Sequence, residues 1–435
     1  MVLPEYDAQC GWYEMLEDIS DFGQLQNDTH FDTVVIGGGF VGNAAARRMA
    51  ENRPDNSVLL IEALMIGQGA SGRNSGFVID QPHKRELELG DNALKNKIVN
   101  LNHTAIDYFE QQIDRYGIDC QWSHAGKYQA AVGPRGEKFL NRYESLLQKS
   151  DSPYQRLSRS EMGDVFGTDY YNAAIFTAGG MLMQPAALMR GLADNMPDNV
   201  RVVENTPVLE IARTRDGFTL KTETVEIRCN QLILGTNIFT AELGYLRNKI
   251  LPVMTFASMT APLSDEQMKR FGGQLDWGLT PADHAGTTVR MTQDRRLIIR
   301  NSYRYAYDYN TPQALLPKVR ETHRKGFDAR YPQLGDVSFQ YTWGGASGLS
   351  GNFETYFGQL EDGLYASCCD QSVGAARGTI SGMMLADMAC QKESQILSDM
   401  IEVSGKPSRL PPRALLRIGV PVRMGMARMA SHSEL

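Results

Sequence analysis

The sequence predicts an α/β fold, and three observations carry that prediction. The β-branched run Thr33-Val34-Val35-Ile36 reads as a buried strand. A glycine-rich turn and an alanine-rich helix reaching about Asn52 follow it directly. A second apolar strand, Val58-Leu59-Leu60-Ile61, comes after the turn Arg53-Pro54-Asp55-Asn56 and ends at an acid, Glu62. Strand, turn, helix and strand occupy about 30 residues, the size of one βαβ unit of a Rossmann-like domain.

Composition bounds the rest. A chain of 435 residues has room for two or three domains. With 42% hydrophobic and 22% charged residues it is globular in composition, which argues against wholesale disorder. Lys plus Arg number 44 and Asp plus Glu 51, for a formal net charge of −7, a poor balance for a nucleic-acid binder. The six cysteines lie scattered without a C-x-x-C. They fit reduced thiols in a cytoplasmic protein, and no metal site is expected. Neither a signal peptide nor a membrane span is expected, because no leader pattern and no long apolar run is visible.

Along the chain, residues 1–27 read as a polar and aromatic extension, with Gly11-Trp12-Tyr13 its notable cluster. A long helix is expected over 94–117, where Ile98, Leu101, Ile106, Phe109 and Ile113 recur at near-helical spacing, and another over 136–150. Short strands are expected at Val200–Val203, Pro207–Thr214, Phe218–Thr222 and Gln231–Gly235. Residues 286–307 read as paired strands turning at Gln293-Asp294-Arg295, and 374–391 as a helix starting at Gly374. From Lys406 to Arg428 six basic residues and no acid alternate with Leu415, Leu416, Ile418, Val422 and Met426. That tail reads either as a basic amphipathic segment touching a membrane surface or a partner, or as a solvated arm packed on its own domain.

The glycine turn carries the chemistry. Gly37, Gly39 and Gly42 fit G-x-G-x-x-G, with Phe40 and Val41 opening the helix. The first glycine permits the tight turn, the second lets backbone approach a pyrophosphate, and the third allows close helix–strand packing. The helix N-terminus offers free N–H groups to phosphates. Glu62, followed by Ala63, stands twenty residues after Gly42, where it can accept from ribose hydroxyls. The turn alone leaves NAD and FAD both open.

The next run, Gly67-Gln68-Gly69-Ala70-Ser71-Gly72-Arg73-Asn74-Ser75-Gly76, brings a resemblance. Together with Glu62 it resembles the D-amino-acid oxidase and glycine oxidase superfamily of flavoproteins, and within it the γ-glutamylputrescine oxidoreductase branch. The resemblance implies FAD, held non-covalently, with Gly69, Ala70, Ser71, Arg73, Asn74, Ser75 and Gly76 beside it. Gly179-Gly180-Met181-Leu182-Met183-Gln184-Pro185 resembles the family's return from the substrate domain. Leu232 to Asn237 resembles its strand ending at FAD, which implicates Thr236 and, for adenine, Val208. Trp343-Gly344-Gly345 and Gly374-Ala375-Ala376-Arg377-Gly378 resemble its last flavin-binding stretch and implicate Gly345 and Gly374. There the chain departs from the family. Cys368-Cys369-Asp370-Gln371-Ser372 stands where glycines and often Gly-His-Gly are usual, and no proline precedes Gly358. The vicinal cysteines are structural thiols or, on the functional reading, a covalent flavin link or redox pair.

The fold so implied is an interrupted, Rossmann-like FAD-binding domain (28–90, 175–247 and 343–395) beside an α+β substrate domain on a mainly antiparallel sheet (91–174 and 248–342). Residues 1–27 form the extension and 396–435 the basic tail. The family oxidises C–N bonds and often holds a carboxylate by Arg and Tyr. The strand Leu297–Tyr307 has that composition, with Arg300 and Tyr303 the expected substrate residues. Alternation puts Arg300, Ser302 and Arg304 on one face and Asn301, Tyr303, Tyr305 and Tyr307 on the other. His83 is a second pocket candidate. The expected reaction is hydride transfer from an amine or amino acid to flavin N5, the imine then hydrolysing. Two rival readings stand beside it: a flavoprotein that modifies or scaffolds a partner protein, and an NAD-dependent dehydrogenase.

Overall fold

The computed structural model describes residues 2–6, 9–82, 90–310, 312–431 and 434. His83 lies outside them. Two eight-stranded sheets organise the chain. In the first, the strands Leu364–Cys368, Glu226–Leu234, Thr29–Ile36, Val58–Ile61 and Val200–Val203 lie side by side and parallel. Tyr356–Glu361 closes one edge, and the hairpin Glu210–Thr214 and Gly217–Lys221 pairs onto Glu226–Leu234. Val34, Leu59, Leu60, Ile61, Leu232 and Ile233 are fully buried, which is why these strands read as unbroken apolar runs. Each such side chain withdrawn from water contributes about 1.5–3 kcal/mol.

The helix Phe40–Asn52 crosses from the first strand to the second and packs on the helix Gly374–Ala389. Small residues permit that approach, since a Cβ on Gly382 would stand 2.1 Å from the Val41 carbonyl oxygen. The long helix spans Asn92–Tyr116, capped by the Asp91 carboxylate on the N–H groups of Ala93 (2.9 Å) and Leu94 (3.0 Å). Gly117, with φ +62°, ends it. The buried face includes Ile98, Leu101, Ile106 and Phe109, as the spacing predicts.

The second sheet runs in the order Phe339–Leu349, Leu251–Thr260, Leu297–Tyr305, Thr288–Met291, Trp277–Pro281, Lys127–Ala131, Ala173–Thr177, Gln155–Leu157. All its pairings are antiparallel except Trp277–Pro281 with Lys127–Ala131. One face is covered by the helix Leu316–Arg330, where Phe327 and Tyr331 pack on Trp277, Val289, Leu297 and Ile299. Ala173–Thr177 and Phe339–Leu349 belong to this sheet, so we propose that the chain passes between domains after Thr177 and after Leu349.

Three expectations are corrected. The segment read as a polar and aromatic extension contributes to the core: Trp12 is fully buried, and Cys10, Trp12 and Tyr13 pack with Ala257, Ile298 and Trp343. Val208 precedes its strand, which begins at Glu210. The alternation along Leu297–Tyr305 is broken by a register shift, in which Ala257 faces Arg300 but Phe256 faces Ser302, leaving Asn301 unmatched. Arg300 and Tyr303 therefore share a face, opposite Ala257 and Thr255, and the Arg300 guanidinium lies 5.6 Å from the Tyr303 ring.

Candidate active site

The first turn does what its glycines permit. Gly37 has φ +97°, and a Cβ on Gly42 would stand 1.8 Å from the Gly37 carbonyl oxygen. Glu62 lies across the turn: its carboxylate accepts from the N–H groups of Gly38 (2.7 Å) and Leu64 (3.0 Å). Burial pushes the Glu62 carboxyl up, while the N–H groups of Leu64, Gly38 and Ala63 pull it down.

The loop Gly67–Gly76 repeats the device. Gly67, Gly69 and Gly72 are themselves G-x-G-x-x-G. Gly67 has φ +92°, and a Cβ on Gly72 would stand 1.9 Å from the Gly67 oxygen. The spacing was there to be read in the sequence. The two turns meet where the Phe40 N–H donates to Ser71 Oγ (3.1 Å). Arg73 braces the loop from within, donating to the carbonyls of Gln68 (2.6 Å) and Gly344 (3.0 Å). Asn74 does the same, giving Nδ2 to Ser71 O (2.6 Å) and accepting the Gly76 N–H (2.7 Å).

The loop is also held from outside, by Trp343 of the stretch already singled out and by three residues that sequence reasoning missed, Trp12, Tyr6 and Arg290. The Trp12 indole N–H donates to Asn74 O (2.8 Å), and the Trp343 indole N–H to Arg73 O (3.0 Å). The Tyr6 ring lies 4.1 Å from the Arg73 guanidinium. Arg290, fully buried on Thr288–Met291, donates to the carbonyls of Ser75 (3.1 Å), Gly76 (3.3 Å) and Met183 (2.5 Å). Burial pulls its guanidinium down to about 10, so it stays charged at neutral pH. Gly76 has to be glycine here, with φ +76° and Arg290 Nη1 standing 1.8 Å from where a Cβ would be. No local signal marks Trp12 or Arg290, whose roles come from contacts far away in sequence.

Between these walls lies a cleft enclosing about 1000 Å³ of empty space, its open mouth included. Gly37, Gly39, Glu62, Ala63, Gly69, Ala70, Ser71, Val208 and Thr236 line it, as expected. So do residues not anticipated, among them Tyr6, Thr206, Phe239 and Ala346. Phe40, Val41 and Gly42 form the turn behind it. Arg73, Asn74, Ser75 and Gly76 form the braced part of the loop, and Gly345 backs that loop with its Cβ position 3.1 Å from Arg73 Cβ. Gly374 opens its helix beside Asp370 rather than in the cleft.

The last turn departs from glycine. Cys369, Gln371 and Ser372 all take left-handed φ values of +61°, +54° and +67°. The Gln371 amide ties them down: Nε2 donates to Cys369 O (2.7 Å) and Ser350 Oγ (3.2 Å), and Oε1 accepts the Ser350 N–H (3.3 Å). Cys368 and Cys369 are free, buried thiols. The neighbouring sulfur and burial push the Cys368 thiol well up, away from a reactive thiolate.

Arg300 donates to Thr288 Oγ1 (2.9 Å). Thr288 shares a face with Arg290, two residues along, and Arg290 reaches the loop. Arg300 and Tyr303 thus stand on the side of the second sheet that meets the glycine loop. On the other side, buried His323 pairs Nδ1 with Ser258 Oγ at 2.8 Å. Burial, then the charges of Arg428 and Arg300, pull its imidazole down to about 3.

Two glycine-cornered backbone turns that line one cleft, with an acid hydrogen-bonded across the first of them, mark a dinucleotide-binding protein. Comparison with known proteins makes this specific. The family model for the DAO family, "FAD dependent oxidoreductase", matches residues 32–388, and the chain belongs to that family. Its cofactor is FAD, and the glycine cradle above fits it. The chain is 25% identical over 380 residues to "Probable oxidoreductase OrdL" of Haemophilus influenzae, covering 84% of each. It is 24% identical over 381 residues to the γ-glutamylputrescine oxidoreductase of Escherichia coli, covering 84% of this chain and 85% of that protein. Its fold matches the crystal structure of glycine oxidase from Geobacillus kaustophilus with a TM-score of 0.72 at 18% identity, over 84% of this chain and 96% of that one. The resemblance to the D-amino-acid oxidase superfamily and the expectation of FAD are borne out, and the NAD-dependent reading falls away.

Proposed function

We propose that this enzyme oxidises the C–N bond of an amine or amino acid carrying an anionic group, and that Arg300 and Tyr303 hold the substrate. The observation that carries the reading is the register shift at Asn301, which brings both residues to the face that meets the flavin loop. Relatives named as γ-glutamylputrescine oxidoreductase and glycine oxidase support the substrate class. A γ-glutamyl-polyamine-like or N-substituted substrate fits it.

When bound, FAD supplies the two-electron acceptor for hydride transfer. The chain's residues do the rest. The two glycine turns bring backbone to the dinucleotide, and Glu62 is available to its ribose. Arg290, Arg73 and Trp12 hold the loop so that its geometry survives substrate binding. Arg300 grips a carboxylate by charge-assisted hydrogen bonds, and the Tyr303 face flanks the amine. Burial of the amine between the sheets favours its neutral form, the form that gives up hydride. The imine so formed is then hydrolysed by water.

The test is anaerobic. The purified yellow protein is mixed with amines, polyamine conjugates, amino acids and N-alkyl amino acids without oxygen. Bleaching of the flavin band by one class, with a carbonyl product, supports the reading, and readmitted air separates oxidase from dehydrogenase. A flavin that no class bleaches would sink it and favour a protein-modifying role.

A further inference from the structure

We infer that residues 2–6 form a strap across the FAD cleft, and that bound FAD leaves only when the strap lifts. None of these residues belongs to the βαβ unit, whose first strand is Thr29–Ile36. Yet Val2, Leu3, Pro4 and Tyr6 line the same cleft as Gly37, Glu62, Gly69 and Thr236. The segment forms no helix, and its one tie of strand type is an isolated parallel bridge from Glu5 to Asn310.

The strap has a firm root and light fastenings. Beyond Tyr6, Trp12 is fully buried and donates to Asn74 O (2.8 Å). The Tyr6 ring lies 4.1 Å from the Arg73 guanidinium, and a main-chain hydrogen bond from Ala346 reaches the Tyr6 hydroxyl. Arg73 belongs to the glycine loop and Ala346 to the strand Phe339–Leu349 of the second sheet, so Tyr6 joins two walls of the cleft. Toward the other end, the Val2 N–H donates to the Glu242 carboxylate (3.2 Å). Arg413, on the inward side of the C-terminal helix Arg413–Ala430, donates to the same carboxylate (3.3 Å), while Ile418 and Val422 of that helix face solvent.

Fastenings of this kind open. Val2 is exposed, and a hydrogen bond that water can replace contributes little to holding it. Leu3 and Pro4, half-buried, lay apolar surface along the cleft and bring no charge to it. A segment rooted at one end, with few buried contacts at the other, opens locally while the domain stays folded. A dinucleotide held between the glycine turns and the strap waits for that opening, so the strap sets the rate at which FAD exchanges.

The test follows exchange of bound FAD for radiolabelled FAD in the holoenzyme, with no substrate present. Deleting residues 2–6 should speed exchange about tenfold or more, and Tyr6→Ala should speed it about threefold. Glu5→Cys with Asn310→Cys puts thiols at the two positions the bridge pairs. Loaded with FAD and then oxidised, that variant should exchange FAD about tenfold more slowly than after reduction. If the deletion does not fold, Tyr6→Ala and the cysteine pair decide. Exchange at the wild-type rate by the folded deletion or by Tyr6→Ala overturns the proposal. So does slower exchange by the deletion, which would mean that the segment competes with FAD for the cleft. So does a cysteine pair whose bond does not form, or whose oxidation leaves exchange unchanged.

Discussion

The turns at Gly37–Gly42 and Cys369–Gly374 make the same kind of backbone bend in opposite ways. The first uses glycine where no side chain fits. The second puts three side-chain-bearing residues into left-handed backbone and ties them with the Gln371 amide. Left-handed strain of this sort costs about 1–3 kcal/mol per residue, so the second turn depends on its hydrogen bonds and the first does not. The lesson is that a bend written in glycine is local, whereas a bend written in Gln371 needs Ser350 and Glu354, which precede it by 21 and 17 residues.

The comparison breaks most sharply at Gly42. Overpacking costs about 1–3 kcal/mol where neighbours can shift, but here the new methyl would meet the Gly37 carbonyl, which is main chain. Gly42→Ala should yield a protein that elutes without FAD, read from the ratio of visible to ultraviolet absorbance. Retention of a full flavin complement would show that the first turn is as adaptable as the last.

Next in size is Arg300→Ala. Loss of a charge-assisted pair costs about 1.5–3 kcal/mol, so kcat/KM for the best substrate should fall about 10- to 100-fold. The loss should sit mainly in KM, with the flavin spectrum unchanged. Arg300→Lys should recover part of it.

Gln371→Ala sharpens the comparison directly. It removes the tie and keeps the strain, so it should destabilise by about 1–3 kcal/mol in chemical unfolding. Gln371→Gly removes both and should cost less than Ala by about 1 kcal/mol. If the two variants are equally stable, the left-handed backbone carries no strain there.

Smallest per pH unit, though spread over several units, is a pH dependence. His323 is neutral in the fold because burial holds it at about 3, below its ordinary 6.5. The unfolded chain therefore binds the extra proton between those values. Stability should be fully present above pH 6.5 and fall as pH drops toward 3, by at most about 1.4 kcal/mol per pH unit from this group. His323→Asn should flatten that slope in urea unfolding between pH 4 and 7.

What the sequence revealed follows the same division. The first turn, its strands and Glu62 were legible because a local rule of spacing dictates each, and the loop to Gly76 was legible through its family resemblance. The tail's apolar spacing was legible too, though not which side it would face. Trp12, Tyr6 and Arg290 were not legible, because each acts on a loop more than fifty residues away. The shared face of Arg300 and Tyr303 was hidden by one unmatched residue, Asn301, since a period-two strand inverts its faces past a bulge.

A crystal structure of the FAD-loaded enzyme with a substrate-like carboxylate tests the central claim most directly. The account predicts the carboxylate within hydrogen-bond reach of Arg300, on the flavin-facing side of the second sheet and beside the Tyr303 ring. A carboxylate bound elsewhere, with Arg300 still held by Thr288 alone, would contradict it.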